Sequence, residues 1–295
     1  VKVARKPLSP YLLLKGHGEM PYDFKSELAR VRKYYEGDPL QKRFSALVCG
    51  GIGSGKSYLL RTARRPVHVD SFDPGGTKCN LPLIKSGDMV ADTRWETEDP
   101  YFPDKFAAWM KVTNIRLEMG YFNHFGTYCL DSATTWGEAV MNYRLAGEGR
   151  AGEAPKWAHD YVPQKTYMVN YIRKLMRLPC DFILTGHLRE IEEIISVDTK
   201  TGVTRKSIEY RFYTVGQAVL TIPLLFDEIY VLLGKEGKDG VERKMLIDAQ
   251  GKYIARSRLR ANGKLDSVEA PNIKALLKKI GLSWEDKPKL EMEVK

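Results

Sequence analysis

Apolar runs and polar, turn-forming stretches alternate along the chain in a way that predicts strands separated by helices. Residues 44–49, 67–70, 127–131 and 181–185 are short runs rich in apolar and β-branched side chains, as strands buried on both faces require. Between them lie segments of helical spacing. One opens at Lys56; a second, residues 99–119, starts near Pro103 and repeats Phe102, Phe106, Trp109, Met110 and Ile115; a third spans residues 164–178, after a Gly-rich loop at 147–155. This alternation predicts a parallel sheet covered on both faces. Farther on, residues 192–197 and 203–210 flank Asp198-Thr199-Lys200-Thr201-Gly202, which has the composition of a hairpin turn. Residues 227–233, 243–249 and 252–258, the last two joined at Gln250-Gly251, predict an antiparallel extension, followed by a basic amphipathic helix at 272–280 and a loose tail at 285–295. The fold class expected is therefore α/β, with a mostly parallel central sheet flanked by helices and a C-terminal antiparallel extension. Three parts are expected: an arm and helix at 1–43, with apolar Tyr11–Leu14 and a charged segment at 24–35; a core at 44–262; and a C-terminal helix and tail at 263–295.

Composition narrows the classes. A chain of 295 residues with 43% hydrophobic content can bury a sizeable core. The most apolar region, 215–234, is interrupted by Gln217, Pro223, Asp227 and Glu228, so no membrane span is expected. Residues 1–10 are basic without the apolar centre of a signal peptide, which points to the cytoplasm. The four cysteines, Cys49, Cys79, Cys129 and Cys180, lack metal-site spacing, and the five histidines are scattered, so a structural zinc is not expected; Cys49, Cys129 and Cys180, at the ends of apolar strands, are expected as reduced core thiols. A formal net charge of +10 favours a polyanionic partner without identifying it.

The chemistry is concentrated in Gly50-Gly51-Ile52-Gly53-Ser54-Gly55-Lys56-Ser57, which fits the phosphate-binding pattern G-x-x-x-x-G-K-[ST] between a strand and a helix. Glycines let the backbone curl so that amides face phosphate oxygens. Lys56 is expected to reach the β- and γ-phosphates of ATP and Ser57 to ligate Mg²⁺, with residues 50–57 and Tyr58 forming the nucleotide-binding set. Asp131, ending a buried strand, is the expected second Mg²⁺ partner; the alternative is a helix N-cap, aided by Ser132 and Thr134. Ser132 stands where a carboxylate base could follow it, so the water-activating base must come from another strand end. Asp70 and Asp73 are available; Asp73 also opens an Asp-Pro-Gly-Gly turn, a structural reason for its presence. His187, after Thr185-Gly186, is expected to sense the γ-phosphate if its strand lies beside the phosphate loop, and is otherwise a loop or capping residue.

Two basic groups could hold a single nucleic-acid strand: Arg189, Lys200, Arg205, Lys206 and Arg211, diluted by Glu190, Glu192 and Glu193, and Arg144, Arg150 and Lys156 with Trp157. The other reading is a solvated hairpin and loop. Arg256 and Arg258 alternate on one face of the last predicted strand, either as solvated edge charges or as cations reaching a neighbouring subunit's γ-phosphate.

The motifs together resemble bacteriophage ATP-binding proteins of the AAA-type, RecA-like class, RecA paralogues that support single-strand annealing and recombination. The matching pieces are VCGGIGSGKSYLL (48–60), VHVDSFDPGG (67–76), TYCLDSAT (127–134), DFILTGHLRE (181–190), LLFDEIYVL (224–232) and YIARSRL (253–259), spanning most of 44–262 in the family's order. Many relatives carry Glu at the Asp73 turn and Lys at the position of Arg256. The resemblance implies a RecA-like core, ATP with Mg²⁺, single-stranded DNA and a single-strand-binding protein as partners, and nucleotide sites between subunits of a ring or filament. It implies nucleotide roles for Lys56, Ser57, Asp131 and His187 and trans-acting roles for Arg256 and Arg258, in the host cytoplasm if the chain is phage-encoded. The function expected is a DNA-binding ATPase assisting recombination or annealing. The alternatives are a nucleotide-gated scaffold or DNA-packaging partner with little turnover, and a small-molecule kinase, for which no compact Arg-rich lid is evident.

Overall fold

The computed structural model describes residues 23–38, 42–157, 159–197, 204–214, 218–237 and 240–290. The chain divides into two units, Val1–Gln41 and Lys42–Lys295. The described part of the first is helix α1 (Phe24–Gly37), begun by Asp23, whose carboxylate accepts from the amides of Lys25 and Ser26. Phe24, Leu28, Val31 and Tyr35 follow one another at spacings of four, three and four, so they form one apolar stripe, and all are exposed. The apolar segment 11–14, the expected turn at 198–202 and residues 291–295 lie outside the described residues.

The second unit runs β1 (Ser45–Gly50), α2 (Lys56–Leu59), β2 (Val67–Ser71), α3 (Leu81–Lys85), β3 (Met89–Asp92), α4 (Lys105–Glu118), β4 (Thr127–Asp131), α5 (Ala133–Ala146), α6 (Tyr161–Leu175), β5 (Asp181–Val197), β6 (Thr204–Phe212), α7 (Ala218–Thr221), β7 (Glu228–Gly237), β8 (Gly240–Leu246), β9 (Arg256–Ser257), β10 (Val268–Glu269) and α8 (Ile273–Ile280). The sheet order is β10-β8-β7-β1-β5-β4-β2-β3. From β7 to β3 every neighbouring pair is parallel; β8, β9 and β10 add antiparallel strands beyond β7. The fold is thus α/β with a largely parallel sheet and a C-terminal antiparallel extension. β5 sits between β1 and β4, so the strand that carries His187 lies beside the one that leads into the Gly-rich loop.

Alternation along the strands decides what covers each face. Leu47, Cys49, Tyr128, Leu130, Phe182 and Leu184 pack with Phe106, Trp109, Trp136, Met168 and Ile172 of α4, α5 and α6. Ala46, Val48, Val67, Val69, Cys129 and Ile183 pack with Leu59, Leu83, Leu276 and Leu277 of α2, α3 and α8. On α8 the buried residues Ile273, Leu276 and Leu277 recur three and four positions apart, and each contributes about 1.5–3 kcal/mol by burial. Asn272 caps the helix by accepting from the Ala275 amide.

Several elements differ from the expectation, β10, α3 and α7 among them. The runs at 181–185 and 192–197 form one strand, β5, because its polar outer half leaves the main sheet to pair with β6 from Leu188 onward. β3 was not anticipated; only four residues long and half-buried at two of them, it gives little apolar signal. The strand expected at 252–258 contracts to β9, with Tyr253 bridging to Tyr210 and Gln250.

The first helical face also holds a closed polar cluster. Asp70, fully buried, accepts from Trp95 Nε1 (3.1 Å), Trp109 Nε1 (2.9 Å), Tyr128 Oη (2.8 Å) and Arg116 (3.0 Å), with His68 Nε2 at 3.1 Å. Burial alone would raise its pKa, but the charges and hydrogen bonds of His68, Arg116 and Tyr128 outweigh it and hold the carboxyl well below the usual range. His68, Asp70 and Asp92 have the side chains of a metal site, yet Arg116 lies among them, 2.5 Å from Asp92, and its guanidinium takes the cation's place. Removing the carboxylate strands Arg116 and both indole donors. Asp70→Ala is therefore expected to lower stability by about 3–5 kcal/mol in denaturant titration. The native carboxylate's contribution is present above its unfolded pKa and is lost as pH falls through the depressed folded value.

Candidate functional site

The phosphate-loop sequence leaves the sheet at Gly50, which is in register with His187 of β5 on one side and Leu232 of β7 on the other. The curl is tight: a Cβ on Gly50 would stand 2.2 Å from Ser54 Oγ. Gly53 and Gly55 turn it with φ of 75° and 99°, values glycine adopts readily. Ser54 Oγ is buried and has no hydrogen-bond partner among the described residues. Helix α2 continues only as a tight turn over Leu60–Thr62, so the loop's own amides and Lys56, more than a long helix dipole, must supply the attraction for an anion. Ile52 forms the exposed tip, and Tyr58 lies half-exposed under the Arg61 guanidinium, 4.8 Å from its ring centre.

Lys56 is buried, donating to the carbonyls of Gly50 (3.1 Å) and Gly51 (3.0 Å), with His187 Nδ1 at 3.5 Å. Burial pushes its pKa down, while Asp131 and Asp73 push it back up. Asp131 is fully buried; its Oδ2 accepts from Ser57 Oγ at 2.8 Å and its Oδ1 from Thr185 Oγ1. Burial raises its pKa above the usual carboxylate value, aided by Asp73 and opposed by Thr185, Ser57 and Lys56. The carboxylate thus turns to the loop and β5. Ser132 occupies the N-cap position of α5 without making a side-chain cap bond.

Asp73 lies beside this group. Its Oδ1 accepts from Ser132 Oγ (2.9 Å) and Thr135 Oγ1 (2.6 Å), and its Oδ2 is 3.5 Å from His187 Nε2. Burial raises its pKa, but His187, Thr135 and Ser132 outweigh that and leave it lowered. The imidazole of His187 therefore stands between Lys56 and Asp73. Asp70 takes no part: it pairs with Leu130, one position below Asp131, and belongs to the buried cluster. Thr185, quoted with Gly186-His187 but given no role of its own, and Thr135 are site residues that residue type alone did not reveal. Glu138, one turn beyond Thr135, is exposed, and partial desolvation and then Asp73 push its pKa up.

Lys56, Ser57, Asp73, Asp131 and His187 thus converge, whereas Arg256 and Arg258 do not join them. Arg256 pairs with Ile229 of β7, three positions before the residue in register with Gly50, and its guanidinium donates to the carbonyls of Pro223 (3.3 Å) and Phe226 (2.5 Å). Arg258 lies farther down, mostly exposed, and bonds Asp227 at 2.6 Å. The residues fit a magnesium nucleotide: the loop offers amides and a buried ammonium, and Ser57 with Asp131 offers the hydroxyl and carboxylate oxygens such an ion takes.

The basic groups are more neutralised than their sequence suggests. Arg144 ends α5 and pairs with Glu148; Arg150 bonds Asp160 (2.9 Å) and Glu153 (3.0 Å); Arg211 pairs with Glu209. Trp157 is 81% exposed, with Tyr161 beside it, and Arg189 lies 6.0 Å from the ring centre of Tyr213. Lys200 lies outside the described residues.

No protein-family model matches the chain. No curated protein matches it. It bears a distant likeness to a solved structure of a KaiC-like protein from the hyperthermophilic archaeon Pyrococcus horikoshii, covering 70% of this chain and 80% of that one at 11% identity, with a TM-score of 0.38. Among the described residues no helix is long and apolar enough to cross a membrane.

The raised pKa of Asp131 has a sign that can be tested. The folded state holds this proton more tightly than the unfolded state, so its contribution to stability falls as pH rises from the ordinary carboxylate value through the raised one. Without nucleotide, Asp131→Asn, which removes the buried charge, is expected to unfold at a temperature equal to or above that of the wild type at pH 7. In thermal melts it should also lose any stabilisation by Mg²⁺ with ATP.

Proposed function

We propose that the protein is a Mg²⁺-dependent ATPase of RecA-like type that binds single-stranded DNA and works as an oligomer in recombination or strand annealing. The observation that carries this reading is the convergence of Lys56, Ser57, Asp73, Asp131 and His187 where β1, β2 and β4 end beside the inner part of β5. In this reading the loop amides and Lys56 hold the β- and γ-phosphates, and Ser57 and Asp131 hold Mg²⁺. Asp73 accepts the proton of the attacking water as its oxygen bonds to the γ-phosphorus and the bond to the ADP oxygen breaks. His187, in reach of both Lys56 and Asp73, reports the γ-phosphate to the β5–β6 hairpin that continues its strand.

The trans role proposed for Arg256 and Arg258 is supported by register. Glu228, paired with Ser257, is four residues before Leu232, which pairs with Gly50; at 3.3 Å per residue this is about 13 Å, beyond an arginine's reach to its own loop. In this reading the phosphate they touch is another subunit's, and Arg258, whose guanidinium bonds Asp227 alone among the described residues, is the freer of the two. We assign DNA contact to the exposed aromatic and cationic pairs Trp157–Tyr161 and Arg189–Tyr213. In this reading a phage-encoded chain works in the host cytoplasm, with a single-strand-binding protein as an accessory partner.

A nucleotide-gated scaffold with little turnover is the second reading, favoured by one observation: the hydrogen bonds of His187, Thr135 and Ser132 to Asp73 outweigh its burial, lower its pKa and make it a weaker base. Steady-state ATP hydrolysis with and without single-stranded DNA separates the two. DNA-stimulated turnover that disappears in Lys56→Ala is expected; tight ATP binding without turnover would replace the first reading by the second.

The apolar stripe of α1 is proposed as the oligomerisation element. Deleting residues 1–41 should lower the mass measured by light scattering to that of the monomer, and an unchanged mass would remove α1 from that role.

A further inference from the structure

One cation beside the loop has no part in the scheme above. β8 pairs antiparallel with β7, and its register sets Arg243 opposite Gly234, two residues past Leu232, the partner of Gly50. Arg243 therefore stands at the same edge of the sheet as the loop, unlike Arg256 and Arg258. Its arm reaches over Gly55: a Cβ on that glycine would lie 2.9 Å from Arg243 Cδ, 2.9 Å from Nε and 3.9 Å from Cζ. Gly55 immediately precedes Lys56 and has φ of 99°, so this crossing depends on a residue with no side chain at the centre of the loop.

The local charges leave this guanidinium uncommitted. The adjacent carboxylate of Glu242 pairs with Lys244 at 3.3 Å. Arg258 and Arg260 each hold an aspartate, whereas Arg243 makes no hydrogen bond or ion pair among the described residues. An exposed arginine is free to extend into water; this one lies along a glycine loop whose neighbouring side chain is the buried ammonium of Lys56. Two cations brought to one loop repel each other unless an anion lies between them, and a planar guanidinium can bond two oxygens of one phosphate group.

We propose that Arg243 is a nucleotide-binding residue acting in its own subunit, its guanidinium contacting the phosphate chain of the nucleoside di- or triphosphate held by the loop. The inference rests on the reading of the loop given under Proposed function. It gives each site two cations from the loop's own chain, Lys56 beneath and Arg243 above.

The test is equilibrium binding of MgADP and MgATP by calorimetry, with steady-state hydrolysis, for wild type, Arg243→Ala, Arg243→Gln and Arg243→Lys. The neutral variants are expected to bind both nucleotides about 10- to 100-fold more weakly, the range for losing a hydrogen bond to a charged group. KM should rise more than kcat falls, and lysine should restore part of the loss. The unfolding temperature without nucleotide should stay at the wild-type value, which a merely structural role would not allow. Arg243→Gln keeps most of the arm's length should alanine loosen the hairpin. Neutral variants that match a nucleotide-binding wild type in Kd and KM overturn this inference alone. A wild type that binds no more MgATP than Lys56→Ala overturns the reading of the loop, and this inference with it.

Discussion

The buried carboxylate of Asp131 is the point on which the candidate site is assembled. β5 stands between β1 and β4, so the loop leaving β1 and the aspartate ending β4 are two strand spacings apart, about 9.6 Å. Two hydroxyls close that gap: Thr185, on the intervening strand, donates to one oxygen, and Ser57, in the first turn after the loop, donates to the other. The same strand delivers His187 one pairing position beside Gly50. Once β5 is inserted between the two strands, the positions of the lysine, serine, aspartate and histidine follow from register and from the two oxygens of one side chain.

A second buried aspartate shows how differently the same group behaves one register position away. Asp70 faces two indoles, a phenol and a guanidinium, and these donors more than offset its burial. Asp131 has two hydroxyls, a neighbouring carboxylate and a lysine whose own charge is weakened by burial, and its pKa goes up. The first arrangement is complete and stabilises the fold through its own hydrogen bonds. The second leaves two carboxylates and an ammonium poorly solvated, so an ion pair carrying both a divalent cation and phosphates would relieve the negative and the positive groups together. Local stability is given up where ligand charge can be gained.

Much of this could be read from the residues. The strands β1, β2 and β4 and the inner half of β5 declare themselves as short runs rich in apolar and β-branched residues, and the α4 segment by its helical spacing. The continuity of β5 from 181–185 into 192–197 did not, because Arg189, Glu190 and Glu192 interrupt the apolar run where the strand leaves the core and pairs with β6 alone. Asp70 and Asp73 could not be told apart as bases from their spacing, since both follow the same apolar run. The pleat separates them: Asp70 points into the helices on one face, and Asp73 lies past the strand end among Ser132, Thr135 and His187. Arg150 looked available for a nucleic acid until the fold brought Asp160 to it. Arg243 is the opposite case, an exposed charge on a hairpin near the edge of the sheet whose relation to Gly55, 188 positions earlier, exists only through the pairing of β8 with β7.

The placement of the arginines also bears on assembly. Arg243 shares the loop's edge of the sheet, and Arg258 lies toward the opposite edge, where β7 begins. A contact that repeated through two-fold symmetry would set like edges together and bring a second Arg243 to each loop, adding repulsion to a place already rich in cations. A head-to-tail contact joins unlike edges instead, carrying Arg258 of one subunit toward the loop of the next. Such a contact closes into a ring or continues as a filament according to its rotation. In that arrangement the proposed ATP would lie where the charges of two subunits meet, Lys56 and Arg243 from one and Arg258 from the other, so loss of the γ-phosphate would weaken the interface and the site at once.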